Sequence, residues 1–134
     1  MTILVIDGMG GGIGKSIIER LRQDFAEAEI IAVGTNSIAT SNMLKAGATY
    51  GATGENAVIY NCGRADYIAG VIGIVFANSM NGEISPAMAA AVSGSMAHKI
   101  LVPIERCNAT ILGVASKPVQ VYIDEIAQRI NGSL

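Results

Sequence analysis

The segment VIDGMGGGIGKSI, residues 5–17, contains five glycines between positions 8 and 14. A glycine loses more conformational entropy on folding than other residues, about 0.5–1 kcal/mol relative to alanine in a regular element. The preceding run TILVID is short and apolar, which predicts a buried strand over residues 2–7. From Ile13 to Phe25 the apolar residues recur at helical spacing, which predicts an amphipathic helix. The glycines therefore occupy a strand-to-helix turn.

The rest of the chain continues this alternation of strands and helices. We predict further strands at residues 29–34, 65–73, 99–104 and 110–114, and helices at 37–47, 53–63, 84–96 and 117–132. Ser37, Thr53 and Ser85 are suitable N-caps for three of these helices. In the last helix, the residues expected to face the core are Val119, Ile123, Ile126 and Ile130.

The last predicted strand decides the edge of the sheet. Parallel strands need a crossover of a dozen or more residues, and only about five separate the segments 99–104 and 110–114. We therefore expect residues 110–114 to form an antiparallel edge strand. The predicted fold class is α/β: a single three-layer, Rossmann-like domain over residues 1–134, with strand order 3-2-1-4-5 in a mostly parallel sheet.

The glycine turn lies where such folds bind ligands, at the carboxyl ends of the strands near the reversal of strand order. Its backbone N–H groups and the start of the following helix favour a bound anion. We therefore predict a small phosphate-bearing ligand. The candidate binding residues are Asp7, Gly8, Gly10, Gly11, Gly12, Ile13, Gly14, Lys15 and Ser16 in the turn, with Thr35, Asn36, Asn78 and Asn108 after other strands.

A dinucleotide is the favoured ligand, with NAD(P) or another nucleotide as the cofactor. Gly8, Gly12 and Gly14 resemble the TGxxxGIG loop of short-chain dehydrogenases, with Asp7 in place of the threonine. The Tyr-x-x-x-Lys pair of that family is missing, because the tyrosines are followed at that spacing by Gly54, Arg64, Val71 and Ile126. Residues 34–37, GTNS, also lack the acid that holds an NAD ribose and the arginine for a 2′-phosphate.

A degenerate P-loop is an alternative interpretation of the same residues. The run GGGIGKS, residues 10–16, resembles the core of phosphate-binding loops that end in Gly-Lys-Ser. The full pattern has glycine five residues before Gly14, where this chain has Met9. The predicted strand at 65–73 has Asp66 at its beginning and no acid at its end to hold Mg²⁺.

A third interpretation gives the glycines a packing role in a non-catalytic, homo-oligomeric interaction protein. The Asp7 carboxylate fits a hydrogen bond within the loop, whereas an unpaired carboxylate would repel a phosphate. The uncharged segment 110–114 and the nearly uncharged helix around residues 86–96 predict exposed apolar surface. We therefore expect a homo-oligomer, with a two-fold dimer as the simplest form.

Composition excludes several other classes of protein. Nine basic residues face eleven acidic ones without a Lys/Arg run, so no nucleic-acid partner is expected. The longest apolar run, residues 71–77, is too short to span a bilayer, and the chain is expected to be cytoplasmic with no membrane partner. The single histidine has no cluster of ligands around it, so no metal site is predicted. The sequence does not identify a catalytic residue and leaves open whether the protein is an enzyme; Cys107 beside Arg106 would need His98, at the far end of the strand at 99–104, as a partner.

Several stretches taken together resemble a known family. They are VIDGMGGGIGK, GTNSIATSNMLKAGA, GATGENA, ANSMNGEISP and ILVPIERCN, which span nearly the whole chain. They are similar to a family of short bacterial proteins known only as a domain of unknown function. The resemblance implies a stand-alone cytoplasmic protein and carries no activity, cofactor or catalytic residue.

Overall fold

A computed structural model describes residues 1–104 and 108–133 of the chain. Strands and helices alternate along it. The strands are β1 (Thr2–Asp7), β2 (Glu29–Gly34), β3 (Tyr50–Thr53), β4 (Tyr67–Val71) and β5 (His98–Val102). The helices are α1 (Gly12–Asp24), α2 (Ser37–Lys45), α3 (Glu55–Cys62), α4 (Pro86–Gly94) and α5 (Val119–Gly132). A 3-10 turn over Ile72–Val75 follows β4.

The strands form one sheet in the order β3-β2-β1-β4-β5, and each neighbouring pair is parallel. The predicted α/β class and the order 3-2-1-4-5, with strands numbered along the chain, are confirmed. The order reverses between β1 and β4, because the chain builds outward from β1 on one side and then on the other. The glycine turn follows β1 and therefore lies at this reversal.

Two apolar cores lie on opposite faces of the sheet and make three layers. Ile3 and Val5 of β1 face one core, which α1, α2 and α5 cover. Leu4 and Ile6 face the other core, which α3 and α4 cover. This alternation follows from the two-residue period of a strand, and burial on both faces explains why β1 is apolar throughout.

The predicted antiparallel edge strand is wrong. Residues 110–114 form a turn and irregular chain, with the Leu112 side chain 90% exposed. Gly113 has a φ of +83°, a left-handed conformation that does not continue a strand. The fifth strand is instead β3, a segment for which the sequence predicts a turn and the beginning of a helix. β3 has four residues at the sheet edge, three of them exposed, so it carries no apolar run to detect.

Other element boundaries also differ from prediction. The N-cap of α2 is Asn36 rather than Ser37. Thr53 ends β3, and the N-cap of α3 is Gly54, with a φ of +102°. Ser85 is confirmed as the N-cap of α4. In α5 the three predicted isoleucines are buried, whereas Val119, in the first turn, is 40% exposed. Within the described ranges, no helix combines the length and apolar character needed to cross a bilayer.

Candidate functional site

The connection between β1 and α1 is a tight turn of four residues, 8–11. The Gly11 amide donates a hydrogen bond to the Gly8 carbonyl at 2.9 Å, which closes the turn. Gly11 has a φ of +72°, so the turn passes through the left-handed region just before the helix begins. The N-cap of α1 is therefore a glycine, with no side chain to cap the helix.

Asp7, the last residue of β1, stabilises this turn through hydrogen bonds that its carboxylate accepts from two backbone amides. Its Oδ1 accepts a hydrogen bond from the Gly8 amide at 2.8 Å, and its Oδ2 accepts one from the Gly14 amide at 2.7 Å. Burial raises the pKa of Asp7, and these two backbone hydrogen bonds oppose that rise. The carboxylate is thus paired within the loop.

The five glycines of the turn fall into two groups. A β-carbon on Gly11 would lie 2.7 Å from the Ala39 Cα, and one on Gly14 would lie 2.6 Å from the Met43 Sδ. One on Gly8 would also be too close to its neighbours. Gly10 and Gly12 differ, because no atom lies within 4 Å of an added β-carbon and neither has a positive φ. Packing and conformation therefore explain three of the glycines and leave these two unexplained.

A cavity of about 410 Å³ opens beside the turn, between the ends of β1 and β4. Its walls combine the loop backbone with apolar side chains. They comprise Asp7, Gly8, Met9, Gly10, Gly11, Gly12, Ile13, Val71, Gly73, Ser79, Met80 and Ile104. Within the described residues, no acceptor pairs with the backbone N–H groups of Gly10, Gly12 and Ile13. The site can therefore offer an anion up to three N–H donors beside an apolar wall.

Glu83 is a charged residue of the site that the sequence does not predict; the apolar cavity residues Val71, Met80 and Ile104 are not predicted either. Its Oε1 accepts hydrogen bonds from the Met9 amide at 2.9 Å, the Asn36 Nδ2 at 3.0 Å and the Thr35 Oγ1. These bonds lower the pKa of Glu83, with the Thr35 hydroxyl as the largest cause. In the sequence, Glu83 is visible only as an acid in the loop after β4, where Asn78 is the one residue predicted to bind the ligand.

The predicted residues of the second strand end do reach the glycine turn. Thr35 and Asn36 contact it through Glu83, and Asn36 also donates from its Nδ2 to the Met9 carbonyl at 2.9 Å. Asn36 has a second role, since its Oδ1 accepts from the Ala39 amide and caps α2. The ends of β1 and β2 are therefore joined by side chains as well as by the sheet.

Four other predicted residues lie outside the cavity wall. Lys15 is exposed, and its Nζ lies 3.9 Å from the Glu19 carboxylate on the outer face of α1. Ser16 donates from its hydroxyl to the Gly12 carbonyl at 3.1 Å, a bond within the helix. Asn78 and Asn108 are exposed and have left-handed backbone conformations, as asparagine often does in turns. Arg106 and Cys107 lie outside the described residues.

Comparison with protein families identifies a match over nearly the whole chain. Residues 2–134 match the model of a family described as Domain of unknown function (DUF3842). The chain belongs to the DUF3842 family. No curated protein and no solved structure matches it. The predicted membership in a family of unknown function is confirmed.

Metal chemistry receives no support from the side chains of this DUF3842 chain. In residues 1–104 and 108–133, no three His, Cys, Asp or Glu side chains cluster closely enough to hold an ion. Asp7 and Glu83 both approach the turn; both oxygens of Asp7 and the Oε1 of Glu83 already accept hydrogen bonds. The open N–H donors of the turn favour an anion over a cation.

Proposed function

We propose that this protein binds a nucleotide, with a dinucleotide favoured, or another phosphorylated metabolite at the turn between β1 and α1. The observation that carries the proposal is the open space at Gly10 and Gly12. Bare backbone at these positions is explained if a ligand approaches it closely, as in dinucleotide-binding folds. The packing interpretation accounts for the other three glycines and leaves these two without a role.

The electrostatics of the turn supports an anionic group on the ligand. The N–H groups of Gly12 and Ile13 belong to the first turn of α1, where the helix dipole favours negative charge. The adjoining cavity of about 410 Å³ falls within the size range of small-molecule sites. A phosphate at the N–H groups would thus leave space beside it for an apolar part of the ligand.

The position of Lys15 favours a dinucleotide loop over a P-loop. A P-loop lysine extends toward the phosphates it binds. Here α1 begins at Gly12, so Lys15 lies in its first turn and its ammonium is near Glu19 on the outer surface. The short turn of residues 8–11 also resembles a dinucleotide loop more than the longer loop of a P-loop protein.

A ligand screen by thermal unfolding tests the proposal directly. NAD⁺, NADH, NADP⁺, NADPH, ATP, GTP, AMP and inorganic phosphate would each be added to the purified chain. A ligand present at a hundred times its dissociation constant should stabilise the fold by about 2.7 kcal/mol. If none of these compounds raises the melting temperature, binding of a nucleotide, the favoured form of the proposal, is contradicted.

Assembly into a homo-oligomer is a second proposal, supported by exposed apolar side chains around β3. Leu44, Tyr50 and Tyr60 are 42%, 56% and 64% exposed. Among the described residues, β3 forms one edge of the sheet and pairs with β2 alone. An unprotected strand edge flanked by apolar side chains is typical of a protein interface. Light scattering at micromolar concentration would contradict a two-fold dimer if it returned the monomer mass.

From the resemblance alone, we also propose a cytoplasmic bacterial protein, which cell fractionation would test.

A further inference from the structure

In the folded chain, the carboxylate of Glu83, which is distant in sequence, lies at the end of β2. Residues 34–37 contain no carboxylate, yet the Glu83 carboxylate lies against the two residues that follow β2, Thr35 and Asn36. It also binds the Met9 amide, the second residue of the glycine turn. In dinucleotide-binding folds, an acid at this place binds the ribose hydroxyls of the nucleotide.

We propose that Glu83 is the ribose-binding acid of this site and accepts hydrogen bonds from the 2′- and 3′-hydroxyls of a bound nucleotide. This inference rests on the proposed function. Oε1 is held by three donors, whereas Oε2 has no hydrogen-bond donor within the described residues. The carboxylate is therefore fixed in orientation by one oxygen, and the other oxygen is available to a ligand.

The surroundings of Glu83 fit the nucleoside half of such a ligand. Met9, whose amide Glu83 binds, and Ile38, two residues after Asn36, are apolar and 46% and 66% exposed. In this proposal the base of the nucleotide covers these exposed side chains. The cavity beside the turn, which Met9, Val71 and Met80 line, is left for the rest of the ligand. A dinucleotide would have its phosphates near Gly10 and Gly12.

Glu83 leaves the phosphate-binding donors open. A carboxylate that occupied the anion site itself would bind the N–H groups of Gly12 and Ile13, and Glu83 binds neither. Its hydrogen bonds keep it ionised at neutral pH, because they lower its pKa. An ionised carboxylate at the ribose repels a 2′-phosphate. The site should therefore prefer nucleotides with a free 2′-hydroxyl.

Calorimetric titration of the intact chain tests this assignment. The probes are AMP and NAD⁺, each paired with the same molecule carrying a 2′-phosphate, together with inorganic phosphate. We expect the wild-type chain to prefer the 2′-hydroxyl member of a pair by at least about tenfold, the value of one strong charge-assisted contact. Glu83→Gln should reduce that ratio to within about threefold and leave the affinity for inorganic phosphate within about threefold.

Two further variants keep the result interpretable. Glu27→Gln removes the same charge from an exposed site and should behave as wild type. Glu83→Asp retains the charge but shortens the side chain, so it should also lose the preference, with an unchanged circular dichroism spectrum as the check on folding. A nucleotide that binds without discriminating the 2′-phosphate would overturn the role of Glu83 and leave the proposed function intact. A gain of affinity for inorganic phosphate in Glu83→Gln would show that Glu83 occupies the anion site, which also overturns it. If no probe binds, both proposals fail.

Discussion

Helices α1 and α2 begin side by side at the same edge of the sheet, and the chain treats their first turns differently. At α2 the N-cap side chain of Asn36 accepts a hydrogen bond from the Ala39 amide, the third of the helix. At α1 the equivalent amide, Gly14, is bound by Asp7 from the preceding strand, and the N-cap is Gly11. Because Asp7 of β1 supplies the cap and the N-cap residue is a glycine, no side chain covers the start of α1.

This difference is more informative than the unpaired N–H groups themselves. The first two amides of α2, at Ser37 and Ile38, also lack acceptors among the described residues, as the first amides of helices commonly do. Of these two helices, α1 is the one whose first amides lie on bare glycine backbone beside a cavity. A ligand site is thus indicated by the combination of open donors, missing side chains and adjoining space.

The largest effect is expected when a side chain is introduced at Gly12, the first residue of α1. Gly12→Val places a branched side chain where the structure shows open space, so the fold should tolerate it while a phosphate could no longer approach the N–H groups. We expect at least about a hundredfold loss of affinity for the best nucleotide. Calorimetric titration measures the affinity, and thermal unfolding verifies the fold.

A matched control is available at the end of α4. Gly94 also has open space around an added β-carbon and no positive φ, but it lies in a different part of the fold. Gly94→Val should therefore bind nucleotide as wild type does. Intact binding in Gly12→Val would place the ligand away from this turn.

Removal of the Asp7 carboxylate, which caps α1, should lower the stability of the fold more than the loss of an ordinary N-cap does. Asp7→Ala leaves the buried Gly8 and Gly14 amides without their acceptor. The burial of charge that raises the pKa of Asp7 offsets part of this loss. We expect the free energy of unfolding at pH 7 to fall by about 1–3 kcal/mol, the usual cost of unsatisfied buried donors. Urea denaturation measures it, and an unchanged midpoint would show that Asp7 does not brace the turn.

The corresponding change at α2 should have a smaller effect. Asn36→Ala removes a conventional N-cap, which contributes about 1 kcal/mol in most helices. It also removes the Nδ2 bonds to Met9 and Glu83, which lie at partly exposed positions. The same urea denaturation should give a loss smaller than that of Asp7→Ala. A larger loss would mean that the α2 start, rather than the α1 start, holds this edge of the sheet together.

These two helix starts also mark what the sequence could and could not predict. β1 and α1 are long, periodic and apolar on the correct faces, so their pattern identifies them and places the glycine turn. β3 is a short, exposed edge strand whose pairing with β2 comes from tertiary contacts. Glu83 reaches Met9 across 74 residues of sequence, and no local pattern encodes that contact. The position of the glycine turn could therefore be predicted from the sequence, whereas its contact with Glu83 could not.

The pH dependence of the free energy of unfolding tests the contacts of Glu83, which connect the turn before α1 to the residues before α2. Hydrogen bonds lower the pKa of Glu83 in the folded chain below its ordinary value, so its contribution to stability is present above the ordinary glutamate range. That contribution is lost as the pH falls through the lowered pKa. The stability difference between wild type and Glu83→Gln should thus be largest near pH 7 and shrink as the pH falls below 4.5, the ordinary value. A difference that grows on acidification would contradict the hydrogen-bonded, ionised form.

The smallest expected effect concerns the outer face of α1. Lys15 projects toward Glu19 and does not line the cavity, so a ligand held by the turn backbone should be nearly indifferent to it. We expect Lys15→Ala to weaken nucleotide binding by less than about tenfold, or about 1.4 kcal/mol, and EDTA to leave the affinity unchanged. A P-loop would instead need both the lysine charge and a metal ion at the phosphates. Loss of binding in Lys15→Ala together with dependence on Mg²⁺ would therefore replace the dinucleotide loop with the P-loop interpretation. It would also mean that the side chain moves from the surface to the turn when the ligand binds.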